Sequence, residues 1–275
     1  MSHHPLARFA MAAAGAMLAQ SCSPPTVSHN EVPTNAAAGV VMEAPKAVPR
    51  QAEGKPFAVE EKTELLEFAY RYPKEAAAVP EIVARFADDM KRLKDAAGQT
   101  AREDRESARQ NGFPFHAHSS QTTWTTKAAT PLLLSLLAES YFYTGGAHGM
   151  TGYKTLVWDR TNGRETSIAT MAVSEQALAT AIGTRFCAAL NKARAEKRGA
   201  PVTDTGGEFD RCVDPMKQAL VPVSTDGKAV DQLLVVIGPY EAGPYSEGSY
   251  EIALPVDVAM LTAIKPEYRE AFKGT

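Results

Sequence analysis

The sequence predicts an α+β fold, in which mostly antiparallel sheets carry two longer helices packed on them. Two observations support this prediction. From Pro80 onward, apolar residues recur at spacings of three and four, beginning with Ile82, Phe86 and Met90, which is the pattern of an amphipathic helix. Between residues 113 and 159, β-branched, aromatic and apolar residues dominate instead, a composition typical of strands.

The first half of the ordered chain is predicted to be a strand followed by a long helix. The segment "TELLEFAYRYP" (63–73) alternates apolar and polar residues, which indicates a strand that Pro73 ends. The apolar members are Leu66, Phe68, Tyr70 and Tyr72. Pro80 suits the first turn of the helix because its missing N–H would have no partner there. Gly112 is predicted to end the helix.

The second half is predicted to contain a hairpin, a second helix and a final pair of strands. Asn162 and Gly163 form a strong hairpin-turn signal. Ser174 is a good N-cap for a helix that Gly199 ends, and the basic stretch "NKARAEKRG" suits the negative end of the helix dipole. The segment "DQLLVVIGPYEAGPYSEGSYEIALPV" predicts a strand, a glycine-proline turn and a second strand that is bulged or at an edge, followed by a short helix over 258–272 that Pro266 interrupts.

Charge and hydropathy exclude two classes of protein. The formal net charge is −3, with 29 basic and 32 acidic residues, so no basic excess points to nucleic acid as a partner. No segment after the N-terminal region is long and apolar enough to span a bilayer. The length of 275 residues allows one large or two small domains.

The N-terminus predicts export. Residues 1–21 form a signal peptide in which Arg8 precedes the apolar run 9–19. Small residues before Cys22 resemble a bacterial lipobox, which predicts acylation of Cys22 as a lipid anchor and contact with the membrane through that lipid. Ser23 then favours the outer membrane of a Gram-negative bacterium, facing the periplasm. Plain secretory cleavage is the alternative.

A tether is predicted to follow the signal peptide. Residues 22–55 are rich in proline, alanine and small polar residues, and such a segment cannot bury enough apolar surface to order itself. The tether would hold the folded part away from the membrane.

Three cysteines remain to be assigned, and lipidation of Cys22 leaves Cys187 and Cys212 as a pair. In an oxidising periplasm such a pair predicts a disulfide, with two buried free thiols as the alternative. A bridge closing a loop of about 25 residues would stabilise the fold by roughly 3 kcal/mol.

The stretch "YFYTGGAHG" predicts a β–loop–β corner, which is either a structural turn alone or a loop with a binding role. Gly145, Gly146 and Gly149 permit positive φ and close approach of the chain, Tyr143 ends the incoming strand, and His148 is predicted to secure the loop by hydrogen bonds. Conformationally special loops on rigid sheets often carry function.

A second candidate binding region lies near the C-terminus. Tyr240, Glu241 and Tyr245 stand in a segment where Glu247 and Glu251 also occur. Aromatic and acidic side chains together bind sugars or basic proteins, and carboxylate pairs also perform acid–base chemistry on sugars. The alternative is that the tyrosines pack in the sheet and the glutamates face water.

No common catalytic motif occurs, so no catalytic residue, metal or cofactor is predicted. A zinc site formed by His116, His118 and His148 is conceivable if the fold brings them together. The favoured interpretation is that His116 and His118 are surface residues of a strand and that His148 bonds the backbone of its own loop.

These motifs resemble those of a known bacterial family. "YFYTGGAHG", "GYKTLVWDRTNGRE" and "VVIGPYEAGPYSEGSYEIALP" resemble the signature of domain-of-unknown-function family 3298, which assigns residues 140–275 to such a domain. Residues 56–139 look like its companion family, 4163. Together the two resemble the exterior of a lysozyme-sensing anti-sigma factor and the non-catalytic part of a peptidoglycan deacetylase. The resemblance implies an α+β envelope protein that binds a cell-wall component or a protein such as lysozyme. An envelope hydrolase acting on peptidoglycan or another polysaccharide is the alternative.

Overall fold

The computed structural model describes residues 54–203 and 206–274, which belong to one compact unit. The predicted signal peptide, the predicted lipid anchor Cys22 and nearly all of the predicted tether lie outside these residues. Among the described residues, no helix is long and apolar enough to cross a membrane.

The first sheet has six strands in chain order. They are β1 (Phe57–Lys62), β2 (Leu66–Tyr72), β3 (His118–Ala129), β4 (Leu133–Tyr143), β5 (Met150–Asp159) and β6 (Arg164–Thr166). All neighbours are antiparallel except β2 and β3, which are parallel. A parallel pair needs a long crossover. Here it contains α1 (Lys74–Ala77) and α2 (Pro80–Asn111).

The second sheet is smaller and wholly antiparallel. Its strands are β7 (Ala219–Val223), β8 (Gln232–Ile237) and β9 (Tyr250–Pro255), with β8 in the centre. The remaining helices are α3 (Ile168–Met171), α4 (Glu175–Arg198) and α5 (Val258–Ala263), and short 3-10 turns cover Pro215–Lys217, Tyr245–Glu247 and Pro266–Ala271. The predicted α+β class, with two long helices and mostly antiparallel sheets, is confirmed.

Helix α2 packs on one face of the six-stranded sheet. Its Phe86 is 1% exposed and stacks on Trp124 of β3 with ring centroids 4.5 Å apart. The Trp124 indole donates a hydrogen bond of 2.9 Å to the hydroxyl of Tyr70 in β2. The predicted strand and helix are therefore confirmed, and Gly112 caps the helix with a φ of 72°.

The opposite face of the same sheet is covered by the three-stranded sheet. Side chains alternate along a strand, so Leu136 of β4 points into the α2 core while Leu137 packs with Val221 and Val236. The domain boundary predicted between residues 139 and 140 lies inside β4. The division into two domains stays a prediction.

Helix α4 covers a third core together with β9 and α5. Ser174 caps its start by accepting a hydrogen bond from the backbone N–H of Ala177, and Gly199 ends it with a φ of 68°. The predicted disulfide is present between Cys187 of α4 and Cys212, whose Cα atoms lie 5.5 Å apart. This bridge ties the loop that follows α4 back onto the helix.

Candidate functional site

Two loops that are far apart in the sequence meet at one end of the structure. We call residues 143–149, between β4 and β5, the motif loop, and residues 238–249, between β8 and β9, the tyrosine loop. The three-stranded sheet lies on one face of β4 and β5, and this packing brings the two loops together.

Three aromatic side chains form the contact between these loops. The ring of Tyr245 stacks on His148, with centroids 3.8 Å apart and planes inclined by 17°. Tyr240 lies 6.0 Å from His148 and 5.5 Å from Tyr245, measured between centroids. Tyr240 is 47% exposed. We call these three residues the aromatic cluster; it presents an aromatic surface to solvent.

Hydrogen bonds hold the aromatic cluster in place. The carbonyl of Gly149 accepts from the Tyr245 hydroxyl at 3.0 Å and from His148 Nδ1, also at 3.0 Å. With the proton on Nδ1, His148 Nε2 is an acceptor, and it lies 3.3 Å from the Tyr240 hydroxyl. Tyr240 has a φ of 68°, the only positive φ of a non-glycine residue within 54–203 and 206–274. Such strain often accompanies functional sites.

The glycines of the motif loop have different roles. Gly145 has a φ of 87°, as the sequence predicted. Gly149 is needed for close approach, because a Cβ there would lie 2.3 Å from the ring of Tyr141. Gly146 has neither requirement: its φ is not positive, and an added Cβ would have no atom within 4 Å. The expectation that Gly146 needs the freedom of glycine is wrong.

The other predicted binding residues lie near the aromatic cluster but do not join it. Tyr143 ends β4 opposite Ser119 of β3. Glu241 follows Tyr240 and its carboxylate is exposed. The structure therefore brings together His148, Gly149, Tyr240 and Tyr245, and leaves Tyr143, Gly145, Gly146 and Glu241 at its periphery. Their roles in binding stay predictions.

A groove of about 300 Å³ runs beside the aromatic cluster, and sequence reasoning missed it. Its floor consists of alternate side chains of β3 and β4, on the part of the sheet's second face that the small sheet does not reach. Nine residues line it: Gln121, Thr123, Thr125, Lys127, Leu137, Glu139, Tyr141, Tyr153 and Glu251. Polar residues at every second position of β3 were the available signal.

Tyr153 lines the groove together with two carboxylates, those of Glu139 and Glu251. Burial raises the pKa of its phenol, and the negative charges of Glu139 and Glu251 raise this pKa further. Its hydroxyl donates to Ser249 of the tyrosine loop at 2.9 Å. Tyr141 both lines the groove and touches Gly149, so groove and aromatic cluster form one continuous surface.

Two arginines of α4, Arg194 and Arg198, donate hydrogen bonds to the tyrosine loop, and we call them the arginine clamp. Arg194 is fully buried and donates to the carbonyl of Ala242 at 2.9 Å, of Arg211 at 3.0 Å and of Asp210 at 3.4 Å. Burial lowers the pKa of the Arg194 guanidinium, and the charge of Arg198 lowers it further. Arg194 was predicted only as part of a basic helix end.

The second arginine of the clamp binds a carboxylate. Arg198 donates from Nε to Glu247 Oε1 at 2.8 Å and from Nη2 to Oε2 at 3.2 Å, and the Tyr250 hydroxyl donates to the same carboxylate. The Glu247 side chain is 13% exposed, so the interpretation that it faces water is wrong. Burial opposes its ionisation, but the hydrogen bonds from Arg198 and Tyr250 outweigh burial and hold the pKa of Glu247 below its usual value.

The lowered pKa of Glu247 predicts acid-sensitive stability. A carboxyl whose folded pKa is depressed stabilises the fold above its unfolded pKa, and this contribution is lost as pH falls through the folded pKa. We expect Glu247→Gln to reduce the free energy of unfolding by about 1–3 kcal/mol at pH 7. This deficit should shrink below pH 4.5, the ordinary value for this carboxyl. Urea unfolding of the parent and the variant at pH 7, 5 and 3.5 measures this difference in the free energy of unfolding.

The matched control is Glu251→Gln, which changes an exposed carboxylate without an ion pair in the described part of the chain. Its unfolding free energy should stay within about 0.5 kcal/mol of the parent at each pH. Equal deficits for Glu247→Gln at pH 7 and pH 3.5 would contradict the proposed titration.

The histidines do not converge. His116 is exposed and precedes β3, whereas His118 is 2% exposed, lies 3.2 Å from Asp104 of α2 and stacks on Phe115. The prediction that both are surface strand residues is therefore wrong in part for each: His116 is exposed but precedes the strand, and His118 begins the strand but is covered by α2. Within 54–203 and 206–274, no group of three His, Cys, Asp or Glu residues is placed to hold a metal ion.

A larger cavity, about 630 Å³, lies between α2 and the β1–β2 turn. Its charged residues are largely occupied by neighbours: Lys94 binds Glu61 at 2.5 Å, and Arg105 lies 3.8 Å from Glu64. It has no aromatic lining. Size alone does not make it the better candidate, since preorganised aromatic and polar groups mark ligand sites.

Residues 59–151 match the protein-family model described as "Deacetylase PdaC". The match covers about a third of the chain, from β1 to the start of β5. It includes the motif loop and ends before the tyrosine loop, so it contains one of the three residues of the aromatic cluster, His148. No curated protein is significantly similar to this sequence.

Two solved structures similar to this chain are proteins of the DUF3298 family. One is from Pseudomonas aeruginosa PAO1, with 19% sequence identity and a TM-score of 0.48, covering 82% of this chain and 99% of that one. The other is from Bacteroides fragilis NCTC 9343, with 14% identity and a TM-score of 0.47, covering 80% and 97%. At this level of similarity they assign no function.

Proposed function

We propose that this chain is an exported, lipid-anchored envelope protein that binds cell-wall glycan without acting on it. The proposal places it in the periplasm of a Gram-negative bacterium, attached to the outer membrane through Cys22, with residues 22–55 as the tether. Export and anchoring rest on the sequence of residues 1–23. The match to a model described as a deacetylase, and the resemblance to families 3298 and 4163, support an envelope-associated role.

The observation that best supports a binding role is the exposed aromatic cluster beside a polar groove. Sugar rings have an apolar face that packs on an aromatic ring and hydroxyl groups that need hydrogen-bond partners. Tyr240 and Tyr245 offer the first, and the threonines, glutamine and carboxylates of the groove offer the second. The groove extends away from the cluster along β3 and β4, as a polymeric glycan requires.

The test is co-sedimentation with purified peptidoglycan sacculi. Tyr245→Ala removes the ring that stacks on His148, and truncation of a central aromatic residue in a binding site commonly costs about 2 kcal/mol or more. We expect at least about tenfold weaker binding. Tyr268→Ala is the matched control, because Tyr268 contacts Arg164 near the C-terminus, away from both loops. Equal binding by parent and Tyr245→Ala would contradict the proposal.

A protein ligand such as lysozyme is the other partner that the family resemblance implies. The same aromatic surface and the two groove carboxylates would then contact a basic protein. If the parent bound lysozyme, Tyr245→Ala weakened that binding, and neither was retained on sacculi, the ligand would be a protein and not the glycan.

One observation favours an envelope hydrolase as a second candidate. The Tyr240 hydroxyl faces His148 Nε2, and the Gly149 carbonyl orients the imidazole from Nδ1, which is an arrangement of acid, base and orienting group. New reducing ends released from sacculi by the parent, and not by His148→Ala with its fold intact, would establish hydrolysis and displace the binding-only proposal.

A further inference from the structure

We propose that the Cys187–Cys212 disulfide is a redox switch for the aromatic cluster: the oxidised bridge keeps the tyrosine loop in its binding conformation, and reduction loosens that loop. Its biological meaning rests on the proposed binding function. The coupling itself is a property of the fold and is testable without a ligand.

The coupling begins at a second loop. Residues 206–214, which we call the pinned loop, follow α4, and Cys212 attaches them to Cys187 on that helix. Within this loop, the carbonyls of Phe209, Asp210 and Arg211 all accept hydrogen bonds from α4. The disulfide therefore keeps three backbone acceptors against the helix.

The arginine clamp connects the pinned loop to the tyrosine loop. The Arg194 guanidinium donates to Asp210 and Arg211 on one side and to Ala242 on the other. Arg198 donates to Phe209 and also binds Glu247. Each arginine thus contacts both loops, and Ala242 lies between Tyr240 and Tyr245 in the sequence.

Release of the pinned loop would disturb this shared contact. Arg194 is fully buried, and a buried charge that loses hydrogen-bond partners is costly. Without the carbonyls of Asp210 and Arg211, the guanidinium keeps Ala242 and Asn191 as partners, and its other N–H groups are satisfied only if water enters beside α4. Water there competes for Ala242 and Glu247, so the tyrosine loop loses its support while the six-stranded sheet keeps its own core.

The chemical step is thiol–disulfide exchange with a dithiol reductant. Cys212 is exposed and Cys187 is partly buried, so the attacking thiolate reaches the Cys212 sulfur and Cys187 leaves as a thiolate that takes a proton from water. The second thiolate of the reductant then attacks the mixed disulfide and releases Cys212. Two electrons pass to the protein, and the dithiol becomes a disulfide.

Hydrogen exchange followed by mass spectrometry tests the switch on the full chain. Oxidised protein is compared with protein reduced by dithiothreitol, with alkylation of a sample confirming two free thiols. We expect amides in residues 238–249 to exchange about tenfold faster or more after reduction, and amides of β4 and α2 to stay unchanged. Faster exchange confined to residues 206–214 would overturn the proposal, and so would global unfolding on reduction.

Arg194→Lys tests the connection in the oxidised protein. A single ammonium group cannot span three carbonyls, so exchange in residues 238–249 should rise about tenfold with the disulfide intact. Arg185→Lys is the matched control on the same helix, because Arg185 donates to Pro255 and faces neither loop. Equal exchange in both variants would overturn the proposal. If hydrogen exchange depended on the disulfide but the protein was not retained on sacculi, the proposed glycan binding would be wrong while the redox switch would still hold.

Discussion

Replacing Arg194 with methionine should lower the free energy of unfolding by about 3 kcal/mol, because one buried and two partly buried carbonyls would lose their donor. Methionine retains the length of the apolar stem but supplies no N–H group. The carbonyls of Ala242, Asp210 and Arg211 would each lose the hydrogen bond that Arg194 donates, and a buried group left unsatisfied costs about 1–3 kcal/mol. Water can reach part of both loops, so we expect a total loss near the lower end of the range for three such groups.

Thermal unfolding followed by circular dichroism measures this effect. For a domain of this size, a loss of about 3 kcal/mol lowers Tm by roughly 6–12 °C. Lys192→Met is the matched control, because Lys192 lies on the same helix with its side chain 79% exposed. It should change the unfolding free energy by about 0.5 kcal/mol at most. Equal Tm values for the two variants would show that Arg194 does not support the loops.

Replacing Phe86 with alanine should cost about 3–5 kcal/mol, the usual range for a large aromatic residue removed from a core. Phe86 is 1% exposed, stacks on Trp124 and also contacts the rings of Tyr70 and Tyr72. It is the main aromatic contact of α2 with the sheet. Its loss would leave a cavity that the packed strands β2 and β3 cannot close.

Phe113→Ala provides the same chemical change at a position that is 70% exposed. We expect urea unfolding to show a change of about 0.5 kcal/mol or less for this control. If Phe86→Ala were equally mild, the packing of α2 against the sheet would be wrong.

Phe86 and Arg194 show what the sequence could and could not predict. The position of Phe86 in the core follows from the apolar spacing along α2, and the ends of α2 and α4 follow from Gly112, Ser174 and Gly199. These signals are local, since each needs only a few neighbouring residues. The buried state of Arg194 depends on loops that are 16 to 48 positions away. A basic stretch at a helix end gives no indication of such a contact.

The candidate site was predictable in its parts and not in its arrangement. Local patterns selected His148, Tyr240 and Tyr245, but the contact of Tyr240 with His148 joins residues separated by 92 positions. The errors have the same origin. His118 is buried because α2 crosses above the start of β3, and Glu247 is paired because α4 ends beside its loop. Neither packing contact has a signature in the neighbouring sequence.

Nuclear magnetic resonance titration with soluble peptidoglycan fragments tests the central claim most directly. Addition of the fragments should shift the resonances of His148, Tyr240 and Tyr245 first and those of Thr123 and Thr125 in the groove with them, while the fragments stay intact. Shifts that map instead to the cavity between α2 and the β1–β2 turn, or no shifts at fragment concentrations that saturate other glycan-binding proteins, would contradict the account.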